Sequence, residues 1–191
     1  MARAVRHKEN MLHDRADERL ALSAANGDRE AFGELLERHY GRIFGLGLRL
    51  LGDRAEAEDL AQDVCIGLAH KIRSFRGEAR FTTWLYRVVL NAGRDAMRRR
   101  ASRGAVQRDF VEVDALRRAG DAARAAEAEW LREALAGLKD DLRETAVLVL
   151  DQELTHAQAG EVLGVSENTV SWRLHEVRKA LRVRAGEDLT T

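Results

Sequence analysis

Proline is absent from this chain, cysteine occurs once, and only 5% of the 191 residues are aromatic. No proline breaks a helix, and strand-type runs of period two are hard to find. Ala, Leu, Glu and Arg dominate, so the composition predicts an all-α protein. With Cys65 alone, no internal disulfide can form, which fits a reducing compartment. The first residues, "MARAVRHKEN", hold no apolar core of a signal peptide. No apolar run approaches the roughly 18 residues of a membrane span. The expectation is a cytoplasmic protein with no membrane insertion.

Net charge is also missing: 32 basic residues balance 32 acidic ones. The balance conceals a pattern. Residues 64–108 hold eleven basic side chains against two acidic ones, and the segments on both sides are acidic. A basic block this dense is a candidate nucleic-acid surface.

Chemistry-bearing patterns are lacking as well. The six histidines, His7, His13, His39, His70, His156 and His175, are scattered. None forms an H-x-x-x-H pair or stands at ligand spacing from Cys65. No Ser-His-Asp arrangement or phosphate-binding glycine loop is present. The expectation is no catalytic residue, no metal and no cofactor, and Cys65 reads as a helix residue rather than a redox sensor.

Helix signals are plentiful. Asp28 opens an apolar-periodic segment that Gly52 ends near Leu51. Asp53 and Glu56 form a capping-box pattern for a second helix, running to about Ile72. A third opens at Phe81 or Thr82 and ends near Arg100. A second apolar-periodic region starts near Trp130 and runs to about Val183. Five units follow: an N-terminal extension at 1–20, a helical domain at 21–104, a flexible linker at 105–125, a second helical domain at 126–185, and a tail at 186–191.

On the third helix, Phe81, Leu85, Val88, Val89, Ala92 and Ala96 fall on one face, with Trp84 at its edge. Thr83, Arg87, Asn91, Arg94 and Arg98 fall on the other, within an arc of about 80°. Arginines position phosphates, and asparagine can pair with a base edge. The loop upstream carries Arg73, Phe75, Arg76 and Arg80, charges interleaved with a ring, as a single strand requires. Phe75 and Trp84 can equally be core residues. The second helix buries Leu60, Ala61, Val64, Leu68 and Ile72 and exposes Asp59, Gln62, Asp63, Ile66 and His70. An isoleucine on an acidic ridge suggests a protein contact.

Residues 155–182 read as a helix-turn-helix. Thr155 and Gln158 cap its first helix, Gly164 makes the turn, Ser166 caps its second, and Gly160 is small where the helices cross. Val170, Leu174, Val177 and Leu181 face inward. Glu167, Asn168, Thr169, Ser171, Trp172, Arg173 and Glu176 lie where a recognition helix meets the major groove. This domain is not basic overall, so it should bind DNA weakly alone.

These residues together resemble the extracytoplasmic-function (ECF) subfamily of sigma-70 factors of bacterial RNA polymerase. The resemblance covers about residues 25–183. It rests on Glu58-Asp59-Leu60-Ala61-Gln62, on Phe81-Thr82-Thr83-Trp84-Leu85, on Asn91 through Asp95 to Arg98-Arg99, and on "LGVSENTVSWRLHEVRKAL". It implies a region 2 bundle and a region 4 helix-turn-helix. Asp59, Gln62, Asp63 and Ile66 would dock on the clamp helices of the largest subunit of core RNA polymerase. Arg73, Phe75, Arg76, Arg80, Thr83, Arg87, Asn91, Arg94 and Arg98 would melt and capture the −10 element of promoter DNA. The second helix of region 4 would read the −35 element. The linker would thread the polymerase channel, and an anti-sigma protein would hold the factor inactive.

The chain departs from the family pattern where Lys139 follows Leu138 in place of proline, and at Asn168, Ser171 and Glu176 on the recognition helix. Ala159 and Gly160 replace Ile-Ala, which implies looser packing there. The competing reading is a stand-alone helix-turn-helix regulator that needs no polymerase. The acidic ridge and the basic helix in the same chain argue against it.

Overall fold

Asp28 begins the first long helix of the computed structural model, which describes residues 16–102 and 121–186. Its carboxylate accepts from the backbone amides of Glu30 and Ala31, satisfying donors that have no partner inside the helix. That helix, α2, spans Arg29–Leu51 and ends at Gly52, whose φ of 74° favours glycine. Asp53 then caps α3, Arg54–Lys71. Glu56 reaches Arg100 at 3.1 Å, tying the start of α3 to the end of α4. A single 3-10 turn at Ile72–Ser74 leads to the loop before α4, Phe81–Ser102. Leu35, Ile43, Leu46 and Leu50 of α2, Leu60, Val64 and Leu68 of α3, and Leu85 and Val89 of α4 fill the space between the three helices. Burying each such side chain contributes about 1.5–3 kcal/mol.

A short helix at 16–25, α1, crosses the boundary expected at residue 20. Buried Asp17 fastens it, meeting His39 Nε2 at 2.9 Å and accepting from Arg38 at 3.0 Å. Burial pushes the Asp17 carboxyl up, but hydrogen bonds from His39 and Arg38 outweigh it and hold the group below the usual carboxylate value. Residues 1–15 of the expected extension, 103–104 at the end of the expected first domain, 105–120 of the expected linker and 187–191 of the expected tail lie outside the described residues.

The second unit begins with α5, Asp121–Ala136, so its helix starts ahead of the expected boundary near residue 126. Helix α6, Asp140–Ala146, widens into a π-helical turn at Val147–Asp151. Helices α7, His156–Leu163, and α8, Glu167–Ala185, form the helix-turn-helix. The Thr155–Gln158 capping box and the Ser166 cap are both present. Val170, Leu174 and Val177 of α8 are buried against α6 and α7.

The packing at Gly160 reverses the expectation of looseness. A Cβ there would lie 2.7 Å from the backbone oxygen of Val165, so the turn presses directly on α7. Glycine is required by this close approach, and Ala159 beside it is fully buried.

The two units are not independent. Helix α4 packs on α2 and α3 and also on α7, and the buried apolar side chains of both units form one continuous cluster. Arg143 of α6 helps to join them. Its guanidinium donates to the backbone oxygens of Leu135 (2.9 Å), Ala136 (3.1 Å), Leu138 (2.9 Å) and Leu50 (3.0 Å). One cation thus satisfies carbonyls at the C-terminal ends of α5 and α2, where the helix dipole is negative.

Candidate nucleic-acid interface

The basic ridge of α4 differs from its expected form in two places. Thr83 is 5% exposed and so does not belong to an exposed ridge. Helix α4 packs against α2, α3 and α7, and its exposed residues lie in its second half, from Asn91 on. Phe75 is 4% exposed. Its ring meets Phe81 and Trp84 edge-on, with centroids 5.8 and 5.7 Å away. Phe75 is therefore core and offers no free face to a base, whereas Trp84 is half-buried.

Arg73 and Arg76 are exposed in and after the 3-10 turn, and Arg80 is half-buried. Asn91 is exposed at the middle of α4, and its side-chain oxygen accepts a long hydrogen bond from Arg94 at 3.4 Å. Arg98 is exposed and paired with Asp95.

Arg87 and Arg94 are engaged by the second unit. Arg94 donates from Nε and Nη2 to the two carboxylate oxygens of Glu144, each at 2.6 Å. This is a bidentate, charge-assisted pair. Glu144 is 3% exposed. Its hydrogen bonds push the Arg94 pKa up, against the opposing effect of burial. Arg87 donates from Nε to the backbone oxygen of Glu161 at 3.2 Å, and from Nη2 to the same oxygen. Around these, Tyr86 donates to Gln152 Oε1 at 2.9 Å, and Arg49 pairs with Asp151. The π-helical turn sets Asp151 and Gln152 against the first unit.

Sequence reasoning missed Glu144, Asp151, Gln152 and Glu161 as partners of this ridge. The available signal was the acidic segments flanking the basic block.

On α3, Asp59, Gln62, Asp63, Ile66 and His70 are all exposed. Ile66 is 70% exposed, the most of any large hydrophobic residue described. Cys65 beside it is half-buried, and burial pushes its thiol up, which leaves a poor nucleophile.

On α8, Glu167, Asn168, Ser171 and Trp172 face solvent, with Trp172 59% exposed. Ser171 meets His156 Nδ1 at 2.9 Å. Thr169 and Glu176 are half-buried, and the Thr169 hydroxyl is hydrogen-bonded to the cap Ser166. Arg173 turns back toward α6, with Nε 3.4 Å from Asp141. It is held inside the unit, which runs against its expected place on the reading face. Among the described residues, no helix is long and apolar enough to cross a membrane.

An all-helical chain with a basic helix, an acidic ridge and a capped helix-turn-helix is a DNA-binding transcription protein. Residues 35–103 match Sigma-70 region 2, and residues 134–183 match Sigma-70, region 4. The chain is 32% identical over 170 residues to the ECF RNA polymerase sigma factor SigM of Mycobacterium tuberculosis, covering 88% of this chain and 84% of SigM. It is 29% identical over 167 residues to the ECF RNA polymerase sigma factor SigW of Bacillus subtilis, covering 82% of this chain and 89% of SigW. The structure of CnrH in complex with the cytosolic domain of CnrY superposes with a TM-score of 0.69 at 29% identity, over 91% of this chain and 99% of that one. The chain belongs to the ECF class of the sigma-70 family. It is an alternative sigma factor, a DNA-binding factor for transcription initiation.

Proposed function

We propose that α3 docks on core RNA polymerase through Asp59, Gln62, Asp63 and Ile66, while α4 and α8 read the −10 and −35 elements. The observation that carries this is Ile66, 70% exposed between acidic and amide side chains on one helix face. An apolar residue so placed suits a permanent partner better than solvent.

Arg73, Arg76 and Arg80 line the approach to α4. Arg87, Arg94 and Arg98 hold the DNA backbone, and Asn91 reads a base. On α8, Glu167, Asn168, Ser171 and Trp172 meet the −35 duplex, with Thr169 and Glu176 at the edge of that face. Opening the duplex costs a few kcal/mol per unstacked base, offset by capture of the base and by polymerase contacts. The phosphoryl chemistry belongs to the polymerase, and the chain acts in the cell interior. An anti-sigma protein is the expected regulator, by similarity to CnrH, whose structure holds the cytosolic domain of CnrY.

Run-off transcription from a promoter library, with core polymerase and this chain as the only sigma factor, tests the reading. Transcripts from a defined promoter set are expected. Tight operator binding by the free chain, with no polymerase contact, would overturn it. Asn91→Ala should relax −10 preference by roughly 1–3 kcal/mol, whereas Arg98→Ala should weaken all sequences alike.

A further inference from the structure

We propose that α8 selects its −35 element through one stripe of side chains, Asn168, Trp172 and His175, and that an adenine and a thymine methyl, rather than a guanine, define the element. The inference rests on the reading above, in which α8 meets the −35 duplex.

Three observations carry it. First, helical spacing aligns the residues. At about 100° per residue, Asn168, Trp172, His175 and Lys179 fall within an arc of about 60°. All four are exposed. Val170, Leu174 and Val177, which are buried, lie on the opposite side of the helix. The stripe is therefore the face of α8 turned furthest from its own core, the one a groove meets first. Glu167 lies about 100° round from Asn168, at the margin of that face.

Second, the neighbours of the stripe are committed and the stripe is not. Ser171 meets His156 Nδ1, and the Thr169 hydroxyl is bonded to Ser166. Asn168, Trp172 and His175 make no hydrogen bond or ion pair with the described residues. Trp172 is 59% exposed, a large ring that gains from being covered.

Third, the reading half of the helix has no free cation. Guanine is taken by arginine or lysine, through O6 and N7. The first two turns of α8 hold one basic residue, Arg173. Its Nε lies 3.4 Å from Asp141 on α6, and its side chain is only 17% exposed. Arg178, Lys179 and Arg182 follow in later turns, and Arg184 is paired with Glu133 at 2.9 Å.

The groups left on the stripe have their own base chemistry. The Asn168 amide donates to N7 of an adenine and accepts from its N6 amino group. The Trp172 indole covers the 5-methyl of a thymine. His175 donates one N–H to a purine N7, which adenine and guanine share. Lys179, furthest along, takes a phosphate. The helix rises about 6 Å from Asn168 to Trp172. The adenine and the thymine therefore lie within about two base steps of 3.4 Å.

The test uses holoenzyme, core polymerase with the full chain, on promoters randomised across the −35 element, with the transcripts sequenced. The parent should enrich adenine and thymine at two nearby positions. Asn168→Ala should lose about tenfold of the adenine preference and keep the thymine preference. Trp172→Ala should do the reverse, while Trp172→Phe, which keeps an apolar ring, should retain both. His175→Ala should lose a purine preference at a third position. Lys179→Ala should weaken all promoters alike.

Deoxyuridine in place of the selected thymine isolates the methyl group. Transcription by the parent should fall about fourfold, the change that about 0.8 kcal/mol for one methyl gives. Trp172→Ala should not distinguish the two bases. Helix content by circular dichroism should be unchanged in every variant, since each side chain is exposed. A −35 preference dominated by guanine would overturn the proposal. So would a Trp172→Ala variant that weakens every promoter alike, which would give Trp172 to a protein partner. If the parent transcribes equally from all −35 sequences, the reading of α8 as the −35 helix fails, and the stripe fails with it.

Discussion

Replacing Gly160 by alanine should destabilise the helix-turn-helix, although alanine is the better helix former. A Cβ at this position would sit 2.7 Å from Val165 O and 3.6 Å from the Glu167 amide nitrogen. The Val165 carbonyl cannot swing away freely. Its own amide donates to Gly160 O at 3.0 Å, and the next residue, Ser166, caps α8 by accepting from Thr169 N at 3.1 Å. Relief requires α7 and the turn to move apart by about half an ångström, an overpacking cost of typically 1–3 kcal/mol. The propensity gain of alanine over glycine returns at most about 1 kcal/mol. The expected net loss is about 1–2 kcal/mol, and for a unit of this size each kcal/mol lowers the midpoint by about 4–8 °C. Thermal unfolding followed by circular dichroism measures it. Gly33 on α2 supplies the control, because a Cβ there meets nothing within 4 Å. Gly33→Ala should therefore raise the midpoint. The reasoning is refuted if Gly160→Ala melts at or above the parent temperature, because the close approach would then impose no constraint.

Phe75→Ala should cost about 3–5 kcal/mol of stability in a urea titration, as truncation of a buried ring does; a stable variant with lost DNA binding would return Phe75 to the nucleic-acid surface. Ile66→Asp should leave stability within about 0.5 kcal/mol while weakening core polymerase capture in a pull-down, and unchanged capture would remove the α3 ridge from the interface. Asp17 gives a pH dependence of definite sign. Its pKa is depressed in the folded chain, so its contribution is present above the ordinary carboxylate value of about 4 and is lost as pH falls through the folded value. Asp17→Asn should therefore lower the urea midpoint near neutral pH and flatten its decline in acid. An equally steep acid decline in the variant would show that Asp17 is not the group titrating.

Signals that act over one turn of chain were legible in the sequence. Asp28, Asp53, Thr155 and Ser166 each cap the helix expected of them, and Gly52 and Gly164 take the left-handed conformation that ends one. Of the expected α4 stripe, Phe81, Leu85, Val88 and Val89 are buried, and Ala92 and Ala96 are half-buried against the same core. What escaped depends on contacts far apart in the chain. Asp17 and His39 each look like surface residues until they are seen to bond across 22 positions. Phe75 sits among arginines, and only the approach of Phe81 and Trp84 makes it core. Thr83 lies at one end of the predicted arc, and an arc drawn for an isolated helix takes no account of further neighbours. Arg173 shares the recognition helix with Trp172, but Asp141 on α6 draws it inward.

The neutral total charge follows from the same long-range contacts. Helix α4 and its flanks form a basic block, and the acidic residues after it include Glu144 and Asp151, which meet Arg94 and Arg49. Charge segregated along the sequence is thus brought together in space. Within each unit the contacts are mainly Leu, Ile and Val side chains, whose burial water opposes releasing. Between the units the apolar cluster continues, and ion pairs and hydrogen bonds that water and salt can replace are added to it. The helices of each unit should remain associated under conditions that part the units. Raising the salt should therefore expand the chain well before it reduces its helix content, and loss of both together would show that the contacts between the units belong to the core.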